Sequence, residues 1–118
     1  MAGDGVFIGW GEIIAGRERQ SRQVFGEALG PMVEEEKAGN VESHEVVLLQ
    51  AHGGGLSGFM LMRGDREKLH GVVTSPRFQR LVNRAEFIVH EFGVLRVVLD
   101  DNAVRMVGTV EEATADLT

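Results

Sequence analysis

"HEVVLLQAHGGGLSGFMLMRG", His44 to Gly64, decides the fold. Two apolar runs, Val46–Leu49 and Phe59–Met62, flank a glycine cluster. Each run is too short for a helix and is bounded by turn residues, so both read as strands. The spacing predicts one strand over Asn40–Ala51 and the next over Leu56–Gly64. Glycines between two strands supply the positive φ angles of a hairpin tip. Side chains alternate along a strand, so consecutive apolar residues put apolar surface on both faces of the sheet.

A His followed by three glycines is also the form of an oxyanion loop in lipases and esterases. That reading requires a GxSxG nucleophile elbow on a strand-to-helix turn. The nearest candidate, "GLSGF", places Phe59 where the second glycine should stand, and it enters a strand from a hairpin. Other motifs fail in the same way. "GWGEIIAG" has Ile14 at the last glycine of GxGxxG, no Walker sequence exists, and "HEVVL" carries Leu48 where HExxH needs its second His. His44 and His52 would lie roughly 26 Å apart along a strand. No metal site and no cofactor are expected.

Working outward, "VFIGWGEII", Val6–Ile14, reads as the first strand. From Arg17 to Lys37 the apolar positions Val24, Phe25, Ala28, Leu29, Met32 and Val33 recur at helical steps. Gly30-Pro31 should kink this helix, and Gly39 should cap it. Glu34-Glu35-Glu36 reads as a solvated helix face. Asp65 can cap a short helix over Arg66–Val73. Ser75 and Pro76 start another, with Phe78, Leu81, Val82 and Ala85 as its stripe. "EFIVHEFGVLRVVLD", Glu86–Asp100, reads as the last strand, with Gly93 a candidate bulge. From Asn102 onward the pattern suggests a weak amphipathic helix.

The order is therefore βαββαβ. With right-handed crossovers it closes as a four-stranded antiparallel sheet with helices on one face, an α+β ferredoxin-like arrangement. The 118 residues suit a single domain, 1–118, with its core over 6–100 and a C-terminal tail over 101–118. Such a domain buries roughly two thirds of the surface its unfolded chain exposes. The helices cover one apolar sheet face. The other calls for a second copy, sheet against sheet, as a homodimer.

There is no Cys, and 43% apolar with 25% charged residues is ordinary for a globular chain. A net charge of −6 argues against nucleic acid. No apolar run approaches the ~20 residues of a membrane span. "MAGDGVFIGWGE" lacks the basic start and continuous apolar stretch of a signal peptide, so no membrane association and a cytoplasmic location are expected.

"EKLHGVVTSPRFQRL" adds a resemblance. Leu69, His70, Ser75, Pro76 and Phe78 follow one another as in the second-helix pattern of the antibiotic-biosynthesis-monooxygenase-like branch of the dimeric α+β barrel superfamily. The resemblance implies a pocket in each subunit between sheet and helices. It also implies the activities found among members: cofactor-free oxygenation of aromatic compounds, haem degradation and isomerisation. The chain departs from the oxygenase pattern in having no Tyr. The expected role is that of a small-molecule pocket protein, such as a cofactor-independent oxygenase or isomerase of an aromatic or polyketide-like compound. The alternative is a non-catalytic dimeric barrel serving assembly or ligand carriage.

Candidate site residues follow from position. Trp10, between Gly9 and Gly11, would stack on a small apolar or aromatic ligand; a core Trp is the alternative. Glu12, on Trp10's strand face, is a candidate acid or base, and otherwise a strand-end carboxylate. His44 is the candidate general base, because its unperturbed pKa lies near neutrality. A hydrogen-bonded structural His is the alternative. His70 would be a haem ligand only by loose analogy. Arg63 and Arg96 could anchor a ligand carboxylate, or pair with Glu45 or Glu91.

Overall fold

The computed structural model describes residues 3–117. Four strands, β1 (Asp4–Trp10), β2 (Ser43–Leu48), β3 (Gly58–Arg63) and β4 (Gly93–Val98), form one antiparallel sheet in the order β2-β3-β1-β4. β1 sits inside, opposite Met60 and Val94 at Ile8. Between β1 and β2 runs α1 (Glu18–Lys37). α2 (Arg66–Val73) and α3 (Pro76–Ile88) link β3 to β4, and α4 (Asp100–Thr114) follows β4.

The register assigns the faces. Val6, Ile8, Met60 and Met62 share one face and are buried with Val24, Met32, Leu69, Val72 and Phe78 from the helices. Phe7, Val47, Phe59, Leu61, Leu95 and Val97 share the other face. There Phe7 and Phe59 stack across strands, ring centroids 5.1 Å apart. Among the described residues no helix packs over the middle of that second face: Leu95 remains 58% exposed. The two-faced apolar sheet expected from the sequence is present.

Local chemistry explains the helix ends. Asp65 accepts from the Lys68 N–H, and Ser75 accepts from the Phe78 N–H, with Pro76 following at the first helical position. α1 ends in a Schellman motif, with Asn40 N–H donating to Glu35 O and Gly39 N–H to Glu36 O. Gly39 takes φ +82°, as that motif requires. The helix does not break at Pro31; it is continuous from Glu18 to Lys37.

Three expectations need correction. β1 stops at Trp10. Beyond it, Gly11 N–H donates to His90 O and Ile13 forms only an isolated bridge with Val89. Glu12 is therefore an exposed residue outside the strand rather than a neighbour on Trp10's face. Glu86, Phe87 and Ile88 are not strand: the stripe Phe78-Leu81-Val82-Ala85 continues at helical spacing to the buried Ile88, and α3 continues with it. Gly93 is not a bulge, because it pairs in register with Gly9; the left-handed turn is made by Glu91, φ 54°.

Glu34-Glu35-Glu36 is more than a solvated face. Arg77 of α3 donates to Glu34 at 2.5 Å and to Glu35 at 2.7 Å, while Glu36 meets His44. Two turns back along α1, Arg84 clasps Glu27 with two bonds, 2.8 and 2.9 Å. These contacts lock α1 against α3.

Candidate functional site: an apolar cavity between sheet and helices

Between the covered sheet face and the helices lies a cavity of about 300 Å³. Ile8, Trp10 and Met60 form its floor, Val24, Phe25, Ala28 and Met32 of α1 one wall, and Leu81, Val82 and Ala85 of α3 another. Ile13 and Leu48, 45% and 70% exposed, stand at its rim. Trp10 meets Phe25 edge to face, ring centroids 6.1 Å apart, a preferred aromatic geometry. Gly58, opposite Trp10 on β3, makes room for the indole; a Cβ there would come within 2.8 Å of the ring. Gly9 and Gly11 flank Trp10 in the chain. The glycine that admits its ring stands across the sheet.

Ser21 is the one side-chain hydroxyl among the lining residues, and it donates to its own helix at Glu18 O, 2.8 Å. A volume near the lower end of small-molecule sites and an apolar lining suit a flat hydrocarbon or aromatic compound. The lining carries no carboxylate, imidazole or guanidinium.

The remaining candidates are dispersed. His44 shares the covered face but stands at the β2 edge, where Nδ1 lies 2.6 Å from Glu36 Oε1. Arg63 is on the open face and pairs with Asp100 at 3.6 Å, not with Glu45. Arg96, on the covered face of β4, has no carboxylate within ion-pairing distance among the described residues, Glu91 included. It lines a separate depression with Asp4, Arg66, Glu67 and His70. Trp10 alone of the proposed residues reaches the cavity.

The "HGGG" segment forms a hairpin loop. Leu49 N–H donates to Ser57 O, leaving Gln50–Leu56 between them. His52 pins that loop: Nε2 lies 2.8 Å from Leu56 O, and Nδ1 accepts from Gly54 N–H at 3.3 Å. These partners place the proton on Nε2. The Gly54 N–H is thus turned inward, as an oxyanion hole could not be. Only Gly53 of the three glycines takes a positive φ, +82°.

No family model matches the chain, and no curated protein does. Solved structures do. A Mycobacterium tuberculosis protein superposes with a TM-score of 0.62 at 14% identity, over 85% of this chain and 98% of its own. A Jannaschia protein, described as dimeric, ferredoxin-like and of unknown function, gives 0.59 at 15%, over 83% and 99%. The fold is ferredoxin-like. A Caulobacter crescentus protein of this ferredoxin-like set gives 0.59 at 8%, over 85% and 92%, and is named a candidate antibiotic biosynthesis monooxygenase. Identities this low carry the fold and not the chemistry. No helix among the described residues is long and apolar enough to cross a membrane.

Proposed function

We propose that this chain is a homodimeric carrier of a small apolar or aromatic molecule, bound between sheet and helices against Trp10. The carrying observation is the cavity of about 300 Å³, lined by Trp10, Phe25 and aliphatic side chains. The dimer is formed by the bare sheet face, since a patch holding Phe7, Phe59, Leu61 and Leu95 is one that monomers rarely expose. Similar proteins described as dimeric support it.

Oxygenase or isomerase chemistry on the bound compound is the second reading, favoured by the names of two similar proteins. In that reading His44 and Glu12 are the base and acid candidates, with Arg63 and Arg96 as anchors. Their distance from the cavity is why carriage comes first.

Trp10 is the sole Trp, so its emission reports the cavity directly. Titration with 1-naphthol should quench it saturably. Ala28→Phe, which fills the cavity from α1, should abolish the saturable phase and leave the far-UV spectrum native. Quenching that is linear, or unchanged in Ala28→Phe, would refute the binding site.

A further inference from the structure

α4 leaves the sheet with its apolar side bare. It starts on the open-face side, where Arg63 reaches Asp100 and Leu99 N–H donates to Gly3 O. Asp100 turns the chain out of β4 with a left-handed φ of 51°. None of the residues of α4 is buried. Met106, Val107 and Val110 are 53–59% exposed and lie on one side of the helix, continued by Leu117 at 76%. A 15-residue helix with no buried residue gains little from tertiary packing and is marginal in water. The chain is correspondingly long, 53 Å, with a radius of gyration of 16.3 Å where a compact domain of its length has about 13.5 Å.

A second bare surface lies at the opposite edge of the sheet. The buried row of α1 is Ser21, Val24 and Met32. The row toward α3 carries Glu27 and Glu34, clasped by Arg84 and Arg77. The remaining flank faces the β2 edge, because Glu36 on it touches His44. It presents Phe25, Leu29 and Val33, 38%, 38% and 45% exposed. Beside them, a Cβ at Gly26 or Gly30 would meet nothing. A glycine inside a helix costs about 1 kcal/mol, and among the described residues no close neighbour calls for one at either position. They leave room for another helix. Arg19, Arg22 and Lys37 border the flank with no ion-pair partner among the described residues. With Asp100 held by Arg63, the α4 segment brings Asp101, Glu111, Glu112 and Asp116 against the single base Arg105.

We propose that α4 is an exchanged arm: in the dimer each chain lays α4 along the α1–β2 flank of its partner. This rests on the sheet-to-sheet dimer above. A two-fold axis parallel to the strands turns one open face onto the other and sets the β4 edge of one chain over the β2 edge of its partner. α4 then arrives where Phe25, Leu29 and Val33 are bare, and its carboxylates arrive where Arg19, Arg22 and Lys37 are unpaired. Phe25 and Leu48 also line the cavity, so the arriving arm completes the cavity's wall.

The chain has no Cys, so single cysteines report contacts cleanly. Leu29→Cys and Val110→Cys chains, co-expressed and treated with a short bismaleimide, should give a covalent heterodimer; neither variant alone should cross-link. Val33→Cys with Val107→Cys provides a second pair one turn along. If neither pair cross-links between chains while the wild type sediments as a dimer, the arm is refuted and the sheet-to-sheet dimer stands. Cross-linking within one chain of the double variant refutes it equally. A monomeric wild type overturns both.

Discussion

Gly53 and Gly39 hold the two left-handed positions that their turns require, φ +82° each. A Cβ at Gly53 would meet nothing within 4 Å, so any cost of substitution there is backbone strain and not a clash. Gly53→Val should therefore lower stability by about 1 kcal/mol or more, read as a shifted urea midpoint with unchanged slope. An unchanged midpoint would mean that the loop adopts another conformation. The turn chemistry at this scale is readable from sequence because it is local. Gly39, Asp65 and Ser75 cap helices for reasons contained within four residues of themselves. The Trp10–Phe25 contact was not readable, since it joins β1 to α1 through the packing of the whole core. The same holds for Gly58, whose partner is 48 positions away in the chain.

Among the elements, α1 and α3 are joined across solvent by Arg84 and Arg77. Arg84's hydrogen bond, foremost, holds the Glu27 carboxyl below its usual range, opposed by partial desolvation and aided by Gln23. The sign follows from linkage. A carboxyl whose folded pKa lies below its unfolded value stabilises the fold above that unfolded value, and the contribution fades as pH falls through the folded pKa. Glu27→Gln should thus destabilise near neutrality and lose its effect in acid, where wild type and variant converge. Parallel stability curves across that range would assign the clasp no energetic role. Element boundaries were harder to read than elements. The apolar steps of α3 carry it to Ile88, but Phe87, Ile88 and Val89 also have strand-like composition, and only the packed stripe decides between them. Glu12 fell off its expected face for a related reason: β1 loses its regular partners after Trp10.

At the scale of the molecule, covered and bare surfaces divide the work. The covered face builds the cavity, whose candidate polar residues the fold scatters: His44 to one edge, Arg96 to the other, Arg63 to the opposite face. Sequence position shows that such residues exist but not that they converge, because convergence depends on strand order and face. The bare face was readable, since runs such as Val97-Val98-Leu99 and Phe59-Met62 cannot hide on one side of a strand. Leu61 gives the sharpest test of it. Its side chain lies on the bare face, opposite Phe7 on β1 and Glu45 on β2. Leu48 lies on the covered face, at the cavity rim. An aspartate at 61 places a charge where two apolar sheets should meet, and each chain of a two-fold pair contributes one. Each new carboxylate stands directly opposite Glu45, a like charge, and desolvating it in the contact costs several kcal/mol, roughly. Leu61→Asp should therefore sediment as a folded monomer at micromolar concentration, where the wild type should sediment as a dimer. Leu48→Asp should weaken 1-naphthol binding before it affects the bare face. A Leu61→Asp chain that remains dimeric with a native spectrum would place the subunit contact elsewhere, and the exchanged arm would lose the geometry that brings it to its partner.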